Sequence, residues 1–416
     1  MKNNPFTSNT FTRIWLKHFG KVKAFYSFNF IGDLSFYKPG RLPIYYNLGK
    51  NLTKGISYTL LPIQTKEFRK NVFIIYDVPS YFDIKLENSS DQLGLIKTKQ
   101  YPGFLVDLNS YTDFNQYFSS TFSKSSRYKL NKYKKRLENC FDISYQMYYG
   151  EMDREVYDST FNHFKQLLRK RFDDKGITNN NLDPKEWNFY HEVAFPMILE
   201  KKASLFVIYN DHTPIGVTLN YFSDHSVFDA ITVFDISYEK FHLGSVTIMK
   251  LIEWSIDQRY QYFDFSKGYF DYKKRWSTRI YNFEYHLYYD KSSPVSTFLA
   301  KGIAIYFNFK QLLREKDINT KFHSLTYKLK NRKPKNDEKI EYLFTPIEDE
   351  ALLTNYEEIN RDSEEWVDLM SAIFEYLYLN NESYKLLKIK KNSNEDHKFT
   401  FEGRDKKMML TISVAH

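Results

Sequence analysis

Three apolar runs decide the reading of this chain: ASLFVIYN (Ala203–Asn210), TPIGVTLNYFS (Thr213–Ser223) and HSVFDAITVFD (His225–Asp235). Each has the length of a strand and is rich in β-branched and aromatic residues. The turns between them, YNDHTP and SDHS, are short and polar, which suits an antiparallel meander. The loop ISYEKFHLG (Ile236–Gly244) then leads into SVTIMKLIEWSIDQRY, whose apolar Val246, Met249 and Ile252 recur at helical spacing. YFDF (Tyr262–Phe265) reads as a short strand, YFDYKKRW (Tyr269–Trp276) as a helical turn and YNFEYHLYYD (Tyr281–Asp290) as a further strand. The block therefore runs strand, strand, strand, loop, helix, strand, helical turn, strand.

Outward from this block the pattern changes twice. Towards the amino terminus a helix at FTRIWLKHFG precedes strands at AFYSFNFI, ISYTLLPI and VFIIYDV. From Tyr111 the period is helical: YTDFNQYFSSTF, then SRYKLNKYKKRLE, then an alternating strand FDISYQMYY, then helices over Asp153–Phe172 and Pro184–Lys201. Residues from Ser293 to about 329 read as helix, and KNRKPKNDEK as a charged linker.

The 416 residues exceed a single core and predict two or three domains. From Asp337 onward 18 Asp and Glu stand against 10 Lys and Arg, so the net +9 of the chain divides into +17 for residues 1–336 and −8 for the remainder. A basic body points to a polyanionic or phosphate-bearing ligand. The single Cys140 excludes an internal disulfide and a cysteine-based zinc site. No run reaches the length of a membrane span and no secretory signal is visible, so a cytoplasmic protein is expected. Glycine-rich nucleotide loops, HExxH and GxSxG are all absent, and the ten histidines are scattered; no metal is expected.

One stretch concentrates chemistry: FDFSKGYFDYKKRW, Phe263–Trp276. Asp264 would project opposite Phe263 and Phe265, Gly268 permits a tight exit from the strand, and Tyr272 and Trp276 share a helical face beside Lys273. On its residues alone the stretch fits a capped strand end with an aromatic clamp better than it fits a site wall. Lys274 and Arg275 are expected in water. A second concentration, Lys124–Arg136, holds seven cations and no acid, with Leu130, Tyr133 and Leu137 on a core-facing stripe. It reads as a solvated face or as a track for phosphates, with Arg127 and Lys134 among the candidates.

The order of elements resembles the GNAT (Gcn5-related N-acetyltransferase) fold. Asp264, Gly268, Tyr272–Lys273 and Trp276 resemble the signature of the CelD-like cellulose-biosynthesis type, related to the FemABX peptidoglycan-bridge aminoacyltransferases. The resemblance spans about residues 10–320 on pattern, with the fourteen-residue stretch its specific part. It implies an α+β fold: a mixed, mostly antiparallel sheet flanked by helices, in two GNAT-like halves, 1–140 and 141–330, with an acidic appendage at 337–416. It implies acyl transfer from acyl-CoA to an amine or sugar acceptor, in envelope polysaccharide or glycan synthesis. The alternatives are an aminoacyl-tRNA-dependent transferase and a non-catalytic scaffold of the same fold. Asp264 would orient or deprotonate the amine, Lys273 stabilise an oxyanion or phosphate, Tyr272 protonate the leaving group, and Trp276 exclude water. Ile231, Val233 and Phe234 would carry the oxyanion donor and donor-facing backbone. Leu243, Gly244, Ser245 and Val246 would bind the donor phosphates at a helix start. Where the family's donor loop has Gln or Arg, a Gly and a Gly or Ala, this chain has Phe241, Gly244 and Val246.

Overall fold

The computed structural model describes residues 3–20, 25–50, 52–62, 66–84, 91–174, 180–315, 339–347 and 355–415. The first part of the chain gives α1 (Asn9–Phe19), then β1 (Phe25–Phe28), β2 (Ile31–Tyr37), β3 (Ile44–Asn47), β4 (Thr59–Leu60), β5 (Val72–Pro79) and the long β6 (Leu93–Asp107). The middle gives α2 (Phe114–Thr121), α3 (Lys124–Cys140), β7 (Ile143–Tyr148), α4 (Arg154–Asp174) and α5 (Pro184–Leu199). The expected meander follows as β8 (Ala203–Asn210), β9 (Thr213–Phe222) and β10 (Ser226–Phe234). After it come α6 (Leu243–Asp257), β11 (Tyr262–Lys267), α7 (Asp271–Trp276), β12 (Arg279–Asp290) and α8 (Pro294–Glu315). The carboxy-terminal part gives β13 (Lys339–Pro346), β14 (Tyr356–Glu358), α9 (Glu364–Asp368), α10 (Met370–Asn380), β15 (Lys388–Asn392), β16 (Lys398–Glu402) and β17 (Lys407–Ala415).

The fold is α+β, and its sheets are mostly antiparallel. One 12-stranded sheet runs β1-β2-β3-β5-β12-β6-β11-β10-β9-β8-β7, with β4 on β2. Among the described residues only β3–β5 and β10–β11 pair in parallel. The strands of the meander are apolar without alternation because both faces are covered. Leu205 and Val207 of β8 enter one core, beneath α4 and α5, while Phe206 and Ile208 enter the other, beneath α3 and α6.

β6 lies between β12 and β11, so the sheet crosses residue 140 without a break. It pairs with β12 from Arg279↔Leu105 to Asp290↔Leu93, and with β11 at Asp264↔Leu105. A strand from the first hundred residues thus sits beside the Asp264 strand, and the strand after α7 returns to pair with β5. Of the described part of the run ISYTLLPI only Thr59–Leu60 is strand, and α8 is described to Glu315; Ile63, the rest of the expected helix and most of the linker lie outside the described residues.

The carboxy-terminal strands form a separate five-stranded sheet, β13-β17-β16-β15-β14. Its helix α10 packs on the larger unit next to the start of α6. Phe374 meets the rings of Phe141 and Tyr238 at 5.2 and 4.7 Å, and Tyr378 meets Phe241 at 5.4 Å. Lys240 pairs with Glu375 at 2.8 Å, and the Cys140 thiol donates to the Leu377 carbonyl. The basic α3 and the acidic carboxy-terminal part therefore share one core.

Candidate active site at the parting of two strands

β10 and β11 begin as neighbours and then separate. Their parallel pairing covers Ser226–Phe228 against Tyr262–Asp264 and goes no further, although β10 continues to Phe234. Beyond Phe228 the β11-facing edge of β10 has no partner strand among the described residues. Backbone groups on such an edge are available to a ligand. A cleft of about 590 Å³ opens there, walled by Asp229, Thr232 and Phe234 of β10, the start of α6, Arg171 of α4 and the outer face of α7.

The sequence of each wall explains its place. Gly244 at the start of α6 packs against β10: a Cβ there would stand 2.7 Å from Cε1 of Phe234. His242 precedes α6 with φ 51°, makes no side-chain cap, and stacks on Tyr133 at 3.8 Å. Burial and Arg275 hold its imidazole below the usual range. Arg171 lies over the Phe234 ring at 4.5 Å. Two guanidinium groups, Arg171 and Arg275, thus face the cleft together with the positive end of α6. Neither arginine pairs with a carboxylate among the described residues.

Three acids line this cleft, Asp229, Glu239 and Asp271, and of these Asp229 alone is buried. It is 8% exposed and accepts a hydrogen bond from the Thr232 hydroxyl at 2.7 Å. Burial pushes its carboxyl up, against the pull of Thr232, Lys273 and Lys54. Tyr272 is 43% exposed on the same cleft, and desolvation and the Asp229 charge push its phenol up, so it remains protonated near neutral pH. Lys54, between β3 and β4, brings a further cation within electrostatic reach of Asp229 and has its own pKa brought down to about 8, first by burial.

The expected site residues fall into three groups. Tyr272, Trp276, Phe234, Gly244 and Ser245 line the cleft. Ile231, Val233, Leu243 and Val246 point their side chains into the cores and do not line the cleft. Arg127 and Lys134 stand elsewhere: the Arg127 guanidinium donates to the carbonyls of Ser119 and Phe122 at the end of α2, and Lys134 pairs with Glu138 at 3.4 Å.

Asp264 and Lys273 are brought together behind the cleft wall, around an irregular turn. Ser266 and Gly268 both have positive φ, 61° and 130°. Asp264 is fully buried; one oxygen accepts the Ser266 N–H at 2.7 Å, and the other accepts the hydroxyls of Tyr81 at 2.8 Å and Tyr281 at 2.6 Å. Burial pushes this carboxyl up to about 6, against those three hydrogen bonds. Lys273 is 6% exposed and donates to the carbonyls of Lys267 at 3.0 Å and Ser266 at 3.4 Å. Burial brings it down to about 8, with Asp229 and Asp264 opposing. Lys267 reaches Asp77 of β5 at 2.5 Å, which ties the turn to the first part of the chain. Trp276 is 1% exposed, packs on Phe122 at 4.7 Å, and its carbonyl accepts the Tyr117 hydroxyl at 2.6 Å.

Sequence reasoning passed over Asp229, Arg171, Thr232 and Lys54, and left Arg275 to solvent. Asp229 had a visible signal, a lone acid inside an apolar strand. Tyr81 had none, since 183 residues separate it from Asp264.

This arrangement of a splayed strand pair, a helix start and a cleft agrees with a match in sequence. Residues 124–274, from the first residue of α3 into α7, match the acetyltransferase (GNAT) domain family. No curated protein matches the chain. Among solved structures, the chain is similar to a conserved protein of unknown function from Bacteroides thetaiotaomicron, at 10% identity and TM-score 0.44, over 70% of this chain and 94% of that one. It is similar to FemX at 11% identity and TM-score 0.43, over 64% and 86%. A tandem GNAT protein from the clavulanic acid biosynthesis pathway aligns at 8% identity and TM-score 0.32, over 61% and 77%. Among the described residues no group of three or more His, Cys, Asp or Glu is placed to hold a metal, and no helix is long and apolar enough to cross a membrane.

Proposed function

We propose that this protein transfers an acyl group from acyl-CoA to an amine or sugar hydroxyl, with the donor seated where β10 and β11 part. The observation that carries the reading is the edge of β10 that has no partner strand among the described residues, opening onto a cleft with Arg171 inside the segment that matches the GNAT family and Arg275 one residue past its end. Arg171, Arg275 and the start of α6 take the donor phosphates. Asp229 accepts the proton of the attacking amine, whose nitrogen forms the new bond to the thioester carbonyl. A backbone N–H on the β10 edge, near Ile231–Phe234, supports the oxyanion. The carbon–sulfur bond breaks, and Tyr272 gives its proton to the departing thiolate. Asp264 and Lys273 act at one remove: they hold the Ser266–Gly268 turn that aims Tyr272.

In this reading residues 1–140 form one GNAT-like half, 141–330 carry the donor site, and 337–416 brace the donor loop through Phe374. A CelD-like role in envelope polysaccharide or glycan modification is the pathway this acceptor chemistry suits.

The test is calorimetric titration of the full chain with CoA and acetyl-CoA. Wild type binds, and the Arg171→Ala, Arg275→Ala pair weakens binding by about tenfold or more, the scale of one lost charge-assisted hydrogen bond. A wild-type protein that takes up neither ligand overturns the reading.

A second donor, aminoacyl-tRNA, is favoured by one specific feature. Lys124, Tyr128, Lys132 and Lys135 share an exposed stripe of α3, with Tyr128 70% exposed and none of the three lysines in an ion pair among the described residues. Salt-sensitive tRNA binding without CoA binding would select it.

A further inference from the structure

α8 covers the sheet with one face and leaves the other bare. Ser296, Ala300, Ala304, Phe307 and Gln311 are buried against the strands. On the opposite side Val295, Phe298, Ile305, Phe309 and Leu312 are 47–78% exposed, with Phe298 the most open. With Gly302 among them, their positions step by three and four residues along the whole helix, which makes a continuous apolar stripe about five turns long. A contiguous exposed patch of this kind marks an interaction surface.

The charges around the stripe say what covers it. Lys301 and Lys310 flank it on its two sides, at the angles where long cationic side chains reach past a buried apolar face. Neither pairs with a carboxylate among the described residues. Between α8 and β3–β5 lies a cavity of about 440 Å³ lined by Lys50, Lys310, Tyr46, Tyr76 and Tyr306. Lys50 sits over the rings of Tyr46 and Tyr76 at 5.0 and 4.9 Å, with no acid within ion-pair distance among the described residues. Burial disfavours the charged form of both lysines, and at Lys310 the nearby charges of Arg314 and Lys50 add to it. In the sequence after the helix, residues 318–336 hold six Lys or Arg and no Asp or Glu.

We propose that α8 is a membrane-surface helix: its bare face enters the headgroup region of an anionic phospholipid bilayer, and the Lys50–Lys310 cavity receives a lipid phosphate. A second copy of the chain fits less well. α8 carries Lys301, Lys310 and Arg314 against the single acid Glu315, so pairing two such helices would set cations against cations. An anionic surface complements both the apolar stripe and its flanks. The inference does not rest on the donor cleft.

The experiment is co-flotation of the full chain with vesicles of phosphatidylcholine alone and of phosphatidylcholine mixed with phosphatidylglycerol. Wild type floats with the anionic vesicles, less at high salt, and remains behind with neutral ones. Phe298→Ser with Phe309→Ser, both on the exposed face, lowers partitioning by about tenfold or more, following the apolar area withdrawn from the interface. Lys50→Gln with Lys310→Gln removes the preference for anionic vesicles. Circular dichroism melting of each variant confirms its fold. Wild type that does not float with anionic vesicles, or a serine variant that floats as wild type does, overturns the proposal. So does a wild-type dimer that ignores vesicles and that the serine variant dissolves to monomers, which would assign the face to self-association.

Discussion

Asp264 makes a stability prediction whose sign is opposite to that of most carboxylates. It is fully buried and titrates near 6, against an ordinary value of 3.8, with burial as the dominant cause. Between those two values the folded state holds a proton that the unfolded state has released, so stability falls as pH rises through the window and levels off above it. The full difference is about 2 pK units, on the order of 3 kcal/mol. Over the accessible interval from about pH 7 down to about 4.5, wild type gains roughly 2 kcal/mol from this group. Asp264→Asn keeps an acceptor for the Tyr81 and Tyr281 hydroxyls and cannot titrate. Urea unfolding followed by tryptophan fluorescence, run on both proteins across this interval, gives the double difference in which other groups cancel. Wild type should become steadily more stable relative to Asp264→Asn as pH falls from 7 to 4.5, with no trend above 7. A pH-independent difference would refute the assignment of a desolvated, protonated carboxyl. A difference that grows with rising pH would mean that Asp264 is a paired carboxylate, with Lys273 rather than the tyrosines as its partner.

Two further outcomes separate the cleft from the turn behind it. Asp229→Asn should leave CoA affinity within a factor of about two while lowering acyl transfer by roughly 10²–10⁴. Its wild-type pH–rate profile should carry a limb above the ordinary carboxylate range that the variant lacks, and an unchanged profile would remove Asp229 as base. Gly244→Ala places a methyl 2.7 Å from Phe234 Cε1, so a loss of about 1–3 kcal/mol is expected. Phe234→Leu in the same chain should recover part of it; a Gly244→Ala protein with an unchanged melting temperature would show that α6 and β10 are free to part.

The sequence revealed the meander because those strands are buried on both faces, and a run such as Leu205–Ile208 needs no partner information to read as strand. β6 was illegible for the converse reason. Its fifteen residues include exposed Lys97 and Lys99, Pro102 and two glycines, and its identity as strand comes from the long pairing with β12. That pairing also explains a residue no local pattern could: a Cβ at Gly103 would fall within the Tyr281 ring, so Gly103 makes room for the hydroxyl that donates to Asp264.

The same non-local pairing changes what the Phe263–Trp276 stretch means. Read alone, a carboxylate and a lysine nine positions apart suggest two groups that act on a substrate together. In the fold, Asp264 spends its acceptors on Tyr81, Tyr281 and its own Ser266 N–H, while Lys273 spends its donors on the carbonyls of Ser266 and Lys267. Both residues therefore stabilise one irregular turn, in which Ser266 is held at a strained φ of 61° while Gly268 adopts φ 130° at no steric cost. Local strain held by buried charge is a means of fixing what lies beside it, here Tyr272 at the mouth of the cleft. On the proposed reading this motif is the frame of a site, and Asp229 on the neighbouring strand supplies the reacting carboxylate.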